Sequence, residues 1–240
     1  MSMIRTILAY AFLAALLVLI LPWFILWSLL RRNASAMYRF SMLALSITMK
    51  IAAIKINVEG VENIPASVCV FAANHASNLD PLVFFPAIPR RISVLIKKEL
   101  MKIPILSAAM QLAHFVPVDR GDREAAAASL DLCVRYLREG LSFAIFPEGT
   151  RSPDGRLGPF KKGAALMSIQ ADVPIVPVAI AGTQNLMRKG SSRIHPGKVT
   201  VHFGEPISPA GLSIDRRNEL LAQLERAVAK NLPQDQQPVR

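Results

Sequence analysis

Residues 70–81 read VFAANHASNLDP. An unbroken apolar run stops at Ala73, and a histidine and an aspartate then follow five residues apart. A short run with no polar alternation suits a strand buried on both faces, as in parallel α/β sheets. In such sheets ligands gather beyond the carboxyl ends of the strands, where His75 stands. Two readings compete for the pair. Asp80 caps a helix whose first residue is Pro81, leaving His75 as a turn residue. Alternatively, Asp80 turns back onto His75. A carboxylate on one ring nitrogen then fixes the tautomer and leaves the other nitrogen free as a base.

Outward from this segment the chain alternates between strand and helix patterns from about residue 56 on. Strands are expected at 68–73, 91–97, 114–119, 141–147, 174–182 and 197–207. Helices are expected at 123–140, with Gly140 as the stop, at 160–172 and at 213–232. The pattern predicts an α/β fold with a mixed, largely parallel central sheet flanked by helices and preceded by N-terminal membrane helices. Three regions are expected: membrane and interfacial helices over 1–55, the α/β domain over 56–232, and a loose tail over 233–240, PQDQQPVR.

Residues 7–30 contain no charge. As a helix they would extend about 36 Å, enough to cross a bilayer core. Trp23 and Trp27 lie toward one end, where aromatic rings anchor at the interface. Pro22 is expected to kink the helix and free a carbonyl. A signal peptide is the rival reading, with Arg5 as its charged start and ASA (34–36) as a cleavage site. The apolar run exceeds the roughly 7–15 residues of a signal core, so a retained anchor is expected. Arg31, Arg32 and Arg39 follow it, which turns that end toward the cytoplasm and places the protein on the inner membrane. Arg32, Arg39, Ser46 and Lys50 recur near one helical stripe, suiting a second helix in the interface over 37–54. Spanning and single-leaflet arrangements both fit.

The chain has 240 residues, a formal net charge of +11 and 52% hydrophobic residues. A basic, apolar chain suits an anionic bilayer or a phosphorylated substrate. No nucleic acid is expected as a partner, because the basic residues follow no nucleic-acid-binding motif and are not interleaved with aromatics. Cys69 and Cys133 lie in apolar segments without metal-ligand spacing and read as small buried hydrophobes.

Three further stretches carry chemistry. FPEGTRS (146–152) follows a strand. Gly149 permits exposed backbone N–H groups, and Arg151 offers a planar cation suited to phosphate. KKELMKIP (97–104) and VPVDR (116–120) supply Lys97, Lys98 and Arg120 as anion contacts. VPIVPVAIAGT (173–183) by itself is a buried strand. There is no G-x-S-x-G, which argues against a serine hydrolase with a nucleophile elbow, and Ser77 lacks that setting. GPFKKGAA (158–165) has alanine where a phosphate loop needs lysine.

Together, in this order, these stretches resemble the glycerolipid acyltransferase family. His75 and Asp80 match its H-x-x-x-x-D motif, FPEGTRS its acceptor-binding motif, and VPIVPVAI its last block. The likeness covers roughly residues 56–208, and the anchor fits the bacterial 1-acyl-glycerol-3-phosphate acyltransferases. It implies a glycerol-3-phosphate acyltransferase-like fold and transfer of an acyl chain to the 2-hydroxyl of lysophosphatidic acid. Acyl-CoA or acyl-carrier protein would be the donor, with no metal and no resident cofactor. It implies His75 as general base and Asp80 as its orienting partner. Lys97, Arg120, Glu148, Gly149, Thr150 and Arg151 would bind substrate, although Glu148 also fits a loop anchor. Two glycines usual in the family are missing: Ile105, Leu106 and Ser107 follow Pro104, and Ala113 precedes the VDR strand. Other acceptors (an ornithine-type lysolipid, another lysophospholipid or glycerol-3-phosphate) share this chemistry. A non-catalytic lipid-binding protein is the remaining alternative.

Overall fold

The computed structural model describes residues 2–119 and 121–238. It opens with α1 (Ser2–Ala15), a π-helical turn (Leu16–Ile20) and α2 (Leu21–Arg31), continuous as one helix. Pro22 explains the π turn. A proline has no N–H to return to the carbonyl four residues back. Widening the preceding turn lets Leu21 N–H reach Leu16 O instead, so the proline is accommodated by a register shift in the helix ladder. Arg32, at φ 50°, ends the helix, and α3 (Ser35–Ile51) runs back along it. The basic stripe is realised in part. Arg39 and Lys50 are exposed on α3, Ser46 bonds back to Met42 O, and Arg32 belongs to the turn instead.

The sheet has seven strands: β1 (Ile54–Glu59), β2 (Val70–Ala73), β3 (Ile92–Lys97), β4 (Val116–Val118), β5 (Ser142–Ile145), β6 (Ile175–Ala181) and β7 (Gly197–Phe203). Their order is β1-β7-β6-β2-β5-β3-β4, and every pairing is parallel except β6 with β7. All four residues of β2 are buried. Phe71 and Ala73 enter one core layer with α3 and the short helix α4 (Asp80–Phe84). Val70 and Ala72 enter the other with α6 (Arg123–Arg138), α7 (Gly163–Ala171) and α9 (Arg217–Lys230). That two-sided burial is why the segment shows no polar alternation. Between β3 and β4 lies α5 (Pro104–Leu112), and after β6 a short α8 (Thr183–Leu186).

The apolar helix lies along the α/β domain. Near its start, Thr6 Oγ1 donates to Ile194 O and accepts Ile194 N–H, and Tyr10 Oη donates to Ser192 O. Near its other end, α2 packs on α5. Its outer side is bare: Leu19 is 65% and Trp23 71% exposed.

Two expectations give way. β1 is an edge strand where none was expected; of its six residues only Ile54 fell within the helix expected over 37–54. The tail is docked over 233–238: Gln236 is buried, its O accepts Leu157 N–H at 2.8 Å and its Oε1 accepts Gly182 N–H at 3.2 Å.

Candidate active site

The carboxyl ends of β2 and β5 sit side by side, so the two motif loops that follow them meet. Asn74 extends β2 by one step. Its side chain mimics a strand partner, donating to Ile180 O and accepting Ile180 N–H at 2.9 and 2.7 Å. His75 comes next, and its main chain is clamped by the neighbouring loop. Its N–H donates to Glu148 Oε1 at 2.6 Å, and its O accepts Ser152 N–H at 2.8 Å. The ring stacks on Phe146 at 4.2 Å between centroids.

Asp80 is the first residue of α4 and turns back. Oδ2 lies 2.8 Å from His75 Nδ1 and accepts the N–H groups of Ala76 and Ser77 at 2.7 and 2.8 Å. Oδ1 accepts the Thr183 hydroxyl at 2.5 Å. A fully buried carboxyl with a donor at every contact is an acceptor-only group, hence a carboxylate, which assigns the proton of the contact to His75 Nδ1. Nε2 then carries the lone pair. Among the described residues it has no hydrogen-bond partner, and the ring lines a cavity. The helix-cap reading fails on these distances. Ser77 is fully buried and its hydroxyl donates to Met187 O, so it is no nucleophile.

The cavity measures about 800 Å³. Leu17 and Leu21 of the N-terminal helix, Met37 of α3, Ile96 of β3 and Ala109 of α5 are among its walls. His75, Lys97, Thr150 and Arg151 are among its polar lining residues, with Tyr38, Ser41 and Asn78. Lys97 Nζ is 3.4 Å from Glu99, and the main-chain O of Arg151 accepts Lys189 Nζ at 2.7 Å; both residues line the cavity. Lys98 pairs with Asp119 at 2.7 Å, outside the lining. Arg120 lies outside the described residues.

Glu148 and Gly149 are not in the cavity wall. Glu148 is 7% exposed, and Oε2 accepts Gly158 N–H at 3.1 Å while Oε1 holds His75 N–H. It therefore anchors the loop, the second of the two roles open to it from sequence. Burial pushes its carboxyl up to about 7, against the lowering effect of those two backbone donors. Gly149 has φ +73°, a left-handed backbone that glycine adopts without strain, while the nearest atoms a Cβ would meet belong to the flexible end of Lys161.

Sequence reasoning missed Asn74 and Thr183. Both lie inside quoted motifs, but each acts across more than 100 residues of chain, which no local pattern reports. The missing glycine at 113 has no backbone consequence: Ala113 is right-handed at φ −82°, and the left-handed residue is His114 at φ 63°. Cys69 and Cys133 are buried and unpaired, as expected. Among the described residues no group of three His, Cys, Asp or Glu side chains is placed to hold a metal ion.

This chain is similar to known proteins. The Acyltransferase family model matches residues 55–181. A 1-acyl-sn-glycerol-3-phosphate acyltransferase of Limnanthes douglasii is 34% identical over 225 residues, 93% of this chain and 78% of that protein. One from Borreliella burgdorferi is 31% identical over 189 residues, 78% of this chain and 76% of that protein. The crystal structure of the 1-acyl-sn-glycerophosphate (LPA) acyltransferase PlsC from Thermotoga maritima superposes with a TM-score of 0.82 at 29% identity, covering 95% of this chain and 93% of that one. The family model spans more than half of the chain and these relatives align over most of it: the chain belongs to the acyltransferase family.

Proposed function

We propose that this acyltransferase moves an acyl chain from a thioester, acyl-CoA or acyl-carrier protein, to the 2-hydroxyl of lysophosphatidic acid, giving phosphatidic acid. The observation that carries the reading is His75. Its Nδ1 is held by Asp80, and its ring opens into an apolar cavity of about 800 Å³ flanked by Lys97 and Arg151. The relatives' names supply the acceptor. Nε2 takes the proton of the acceptor hydroxyl as its oxygen bonds to the thioester carbonyl carbon. Asp80 stabilises the imidazolium that forms. The C–S bond then breaks, and Nε2 returns the proton to the thiolate. A positioned base of this kind contributes about 10²–10⁴-fold. Holding both substrates in one cavity supplies much of the remainder. Arg151 and Lys97 receive the acceptor phosphate, and the apolar walls receive an acyl chain. A thioester is already activated, so the reading calls for no resident metal or cofactor.

The bare side of the N-terminal helix supports seating in a membrane. Contacts from both halves of the helix to the same domain support a helix lying in one leaflet rather than crossing it, with its outer face in lipid. A helix seated this way leaves the catalytic domain on the side where it is made. We therefore place the protein on the cytoplasmic face of the inner membrane.

The test is an assay of the detergent-purified chain with acyl-CoA and acyl-carrier protein against a panel of lysolipids. Thiol release that depends on lysophosphatidic acid is expected. Release with another acceptor alone would replace the substrate, and release with none would overturn the reading.

A further inference from the structure

A second cavity, about 530 Å³, lies on the other side of α5 from the one holding His75, and the two share no lining residue. Ile25 and Leu29 of α2 and Leu112 of α5 make apolar walls, and Arg32 and Arg91 bring two cations. Among the described residues no carboxylate lines it. Arg91 is half-buried. It gives one guanidinium N–H to Leu112 O at 2.9 Å, while its Nε is buried without a partner among the described residues. Burial disfavours the Arg91 charge, and an anion in the cleft would meet the part of the guanidinium that faces it. His114, also in the lining, is held below its ordinary pKa by burial and by the Arg91 charge, with Glu139 opposing, so it adds a neutral ring.

The cleft sits at the end of the apolar helix. Arg31 stacks over Trp27 at 4.7 Å and Leu30 is 74% exposed, the marks of headgroup depth. The geometry points to a binding site for one anionic bilayer phospholipid, separate from the acceptor site, with its phosphate on Arg32 and Arg91 and a chain against Ile25 and Leu29. The inference rests on the interfacial placement proposed above and not on the reaction. A lipid held there ties α2 to α5, whose other face (Leu106, Ala109 and Met110) walls the acyl cavity. The acyl cavity is thereby kept in shape when the enzyme sits on an anionic membrane.

Native mass spectrometry of the full chain, titrated with phosphatidylglycerol or phosphatidylcholine in detergent, tests this. One phosphatidylglycerol is expected to be retained in preference to phosphatidylcholine. Arg32→Ala, an exposed position that cannot unfold the core, should weaken retention about fivefold. Arg91→Gln should weaken it further, and His75→Ala should leave it unchanged. Equal retention of the two lipids overturns the inference. So does loss in Arg151→Ala but not in Arg32→Ala, which would put the lipid at the acceptor site. Displacement by millimolar inorganic phosphate would also overturn it, since the cleft would then hold a free anion. None of these readouts depends on acyl transfer, so failure of the proposed reaction stays distinguishable.

Discussion

Asp80 Oδ2 lies 2.8 Å from His75 Nδ1 and accepts the N–H groups of Ala76 and Ser77 as well. One oxygen thus sets both the imidazole and the turn that carries it. The five-residue spacing has a mechanical reason: the turn between the two residues folds around the carboxylate that its own backbone binds.

Asp80→Asn separates the two jobs. The amide oxygen can keep the three contacts while the amide nitrogen faces the Thr183 hydroxyl, which can accept. The fold should hold, but a neutral amide no longer stabilises the imidazolium. The expected outcome is a fall in kcat of about 10²-fold with KM little changed, and His75→Ala should lose about 10²–10⁴-fold. Steady-state thiol release reads both, and wild-type kcat in Asp80→Asn would reject the orienting role. Asp80→Ala, by contrast, strands several buried donors at about 1–3 kcal/mol each and should lower the melting temperature markedly.

Thr183 closes the far side of the same carboxylate at 2.5 Å, fully buried. Thr183→Val keeps the shape and removes the donor. Hydrogen bonds to charged groups contribute about 1.5–3 kcal/mol, so kcat should drop about tenfold or more through a looser Asp80, with KM for the acceptor unchanged. Thr183→Ser should restore it. An unchanged kcat in the valine variant would mean that the three contacts on Oδ2 suffice.

The elements that could be read from sequence were those whose residues are neighbours in the chain. β2, β5, α6 and α9 follow from local apolar runs and periodicity, and their observed ends fall within a few residues of expectation. The HxxxxD and FPEGTRS stretches were visible because each is contiguous. What stayed hidden depends on contacts far apart in sequence. Thr183 reaches Asp80 across 103 residues, and Gln236 docks on Gly182 across 54. Edge strand β1 alternates apolar residues with Lys55 and Asn57 and faces solvent on one side, which left no buried run to mark it. Glu148 looked like a substrate contact because it sits in a motif. Only its burial and two backbone donors reveal an anchor.

That anchor has a pH signature. Burial raises the Glu148 carboxyl to about 7 from its ordinary value near 4.5. A raised acid binds its proton more tightly in the folded chain, so its contribution to stability is full below the ordinary value and is lost as pH rises through about 7. Melting temperature measured from pH 5 to 8 should therefore fall more for wild type than for Glu148→Gln. The glutamine also presents an N–H₂ where a backbone N–H must be accepted, so it should be less stable than wild type at the acid end and lower kcat by loosening the His75 turn. Parallel pH curves for the two proteins would remove Glu148 as the titrating group.

The apolar cavity should measure its acyl chain. Ala109 of α5 is buried with Leu21 and Met37, and all three line the same wall. Ala109→Leu adds three carbons into that space without adding charge or a β-branch to the helix. A long donor chain would then have to leave part of itself uncontacted. Each buried methylene contributes about 0.8 kcal/mol, so losing about two of them lowers kcat/KM about tenfold or more for long chains. Short chains that stop before this wall should react as in wild type, and the optimum should move toward them. A series of acyl-CoA lengths assayed with one fixed acceptor gives the profile. A uniform fall at every length would instead mean that the substitution disturbs α5 as a whole, and an unchanged profile would mean that the chain does not reach this wall.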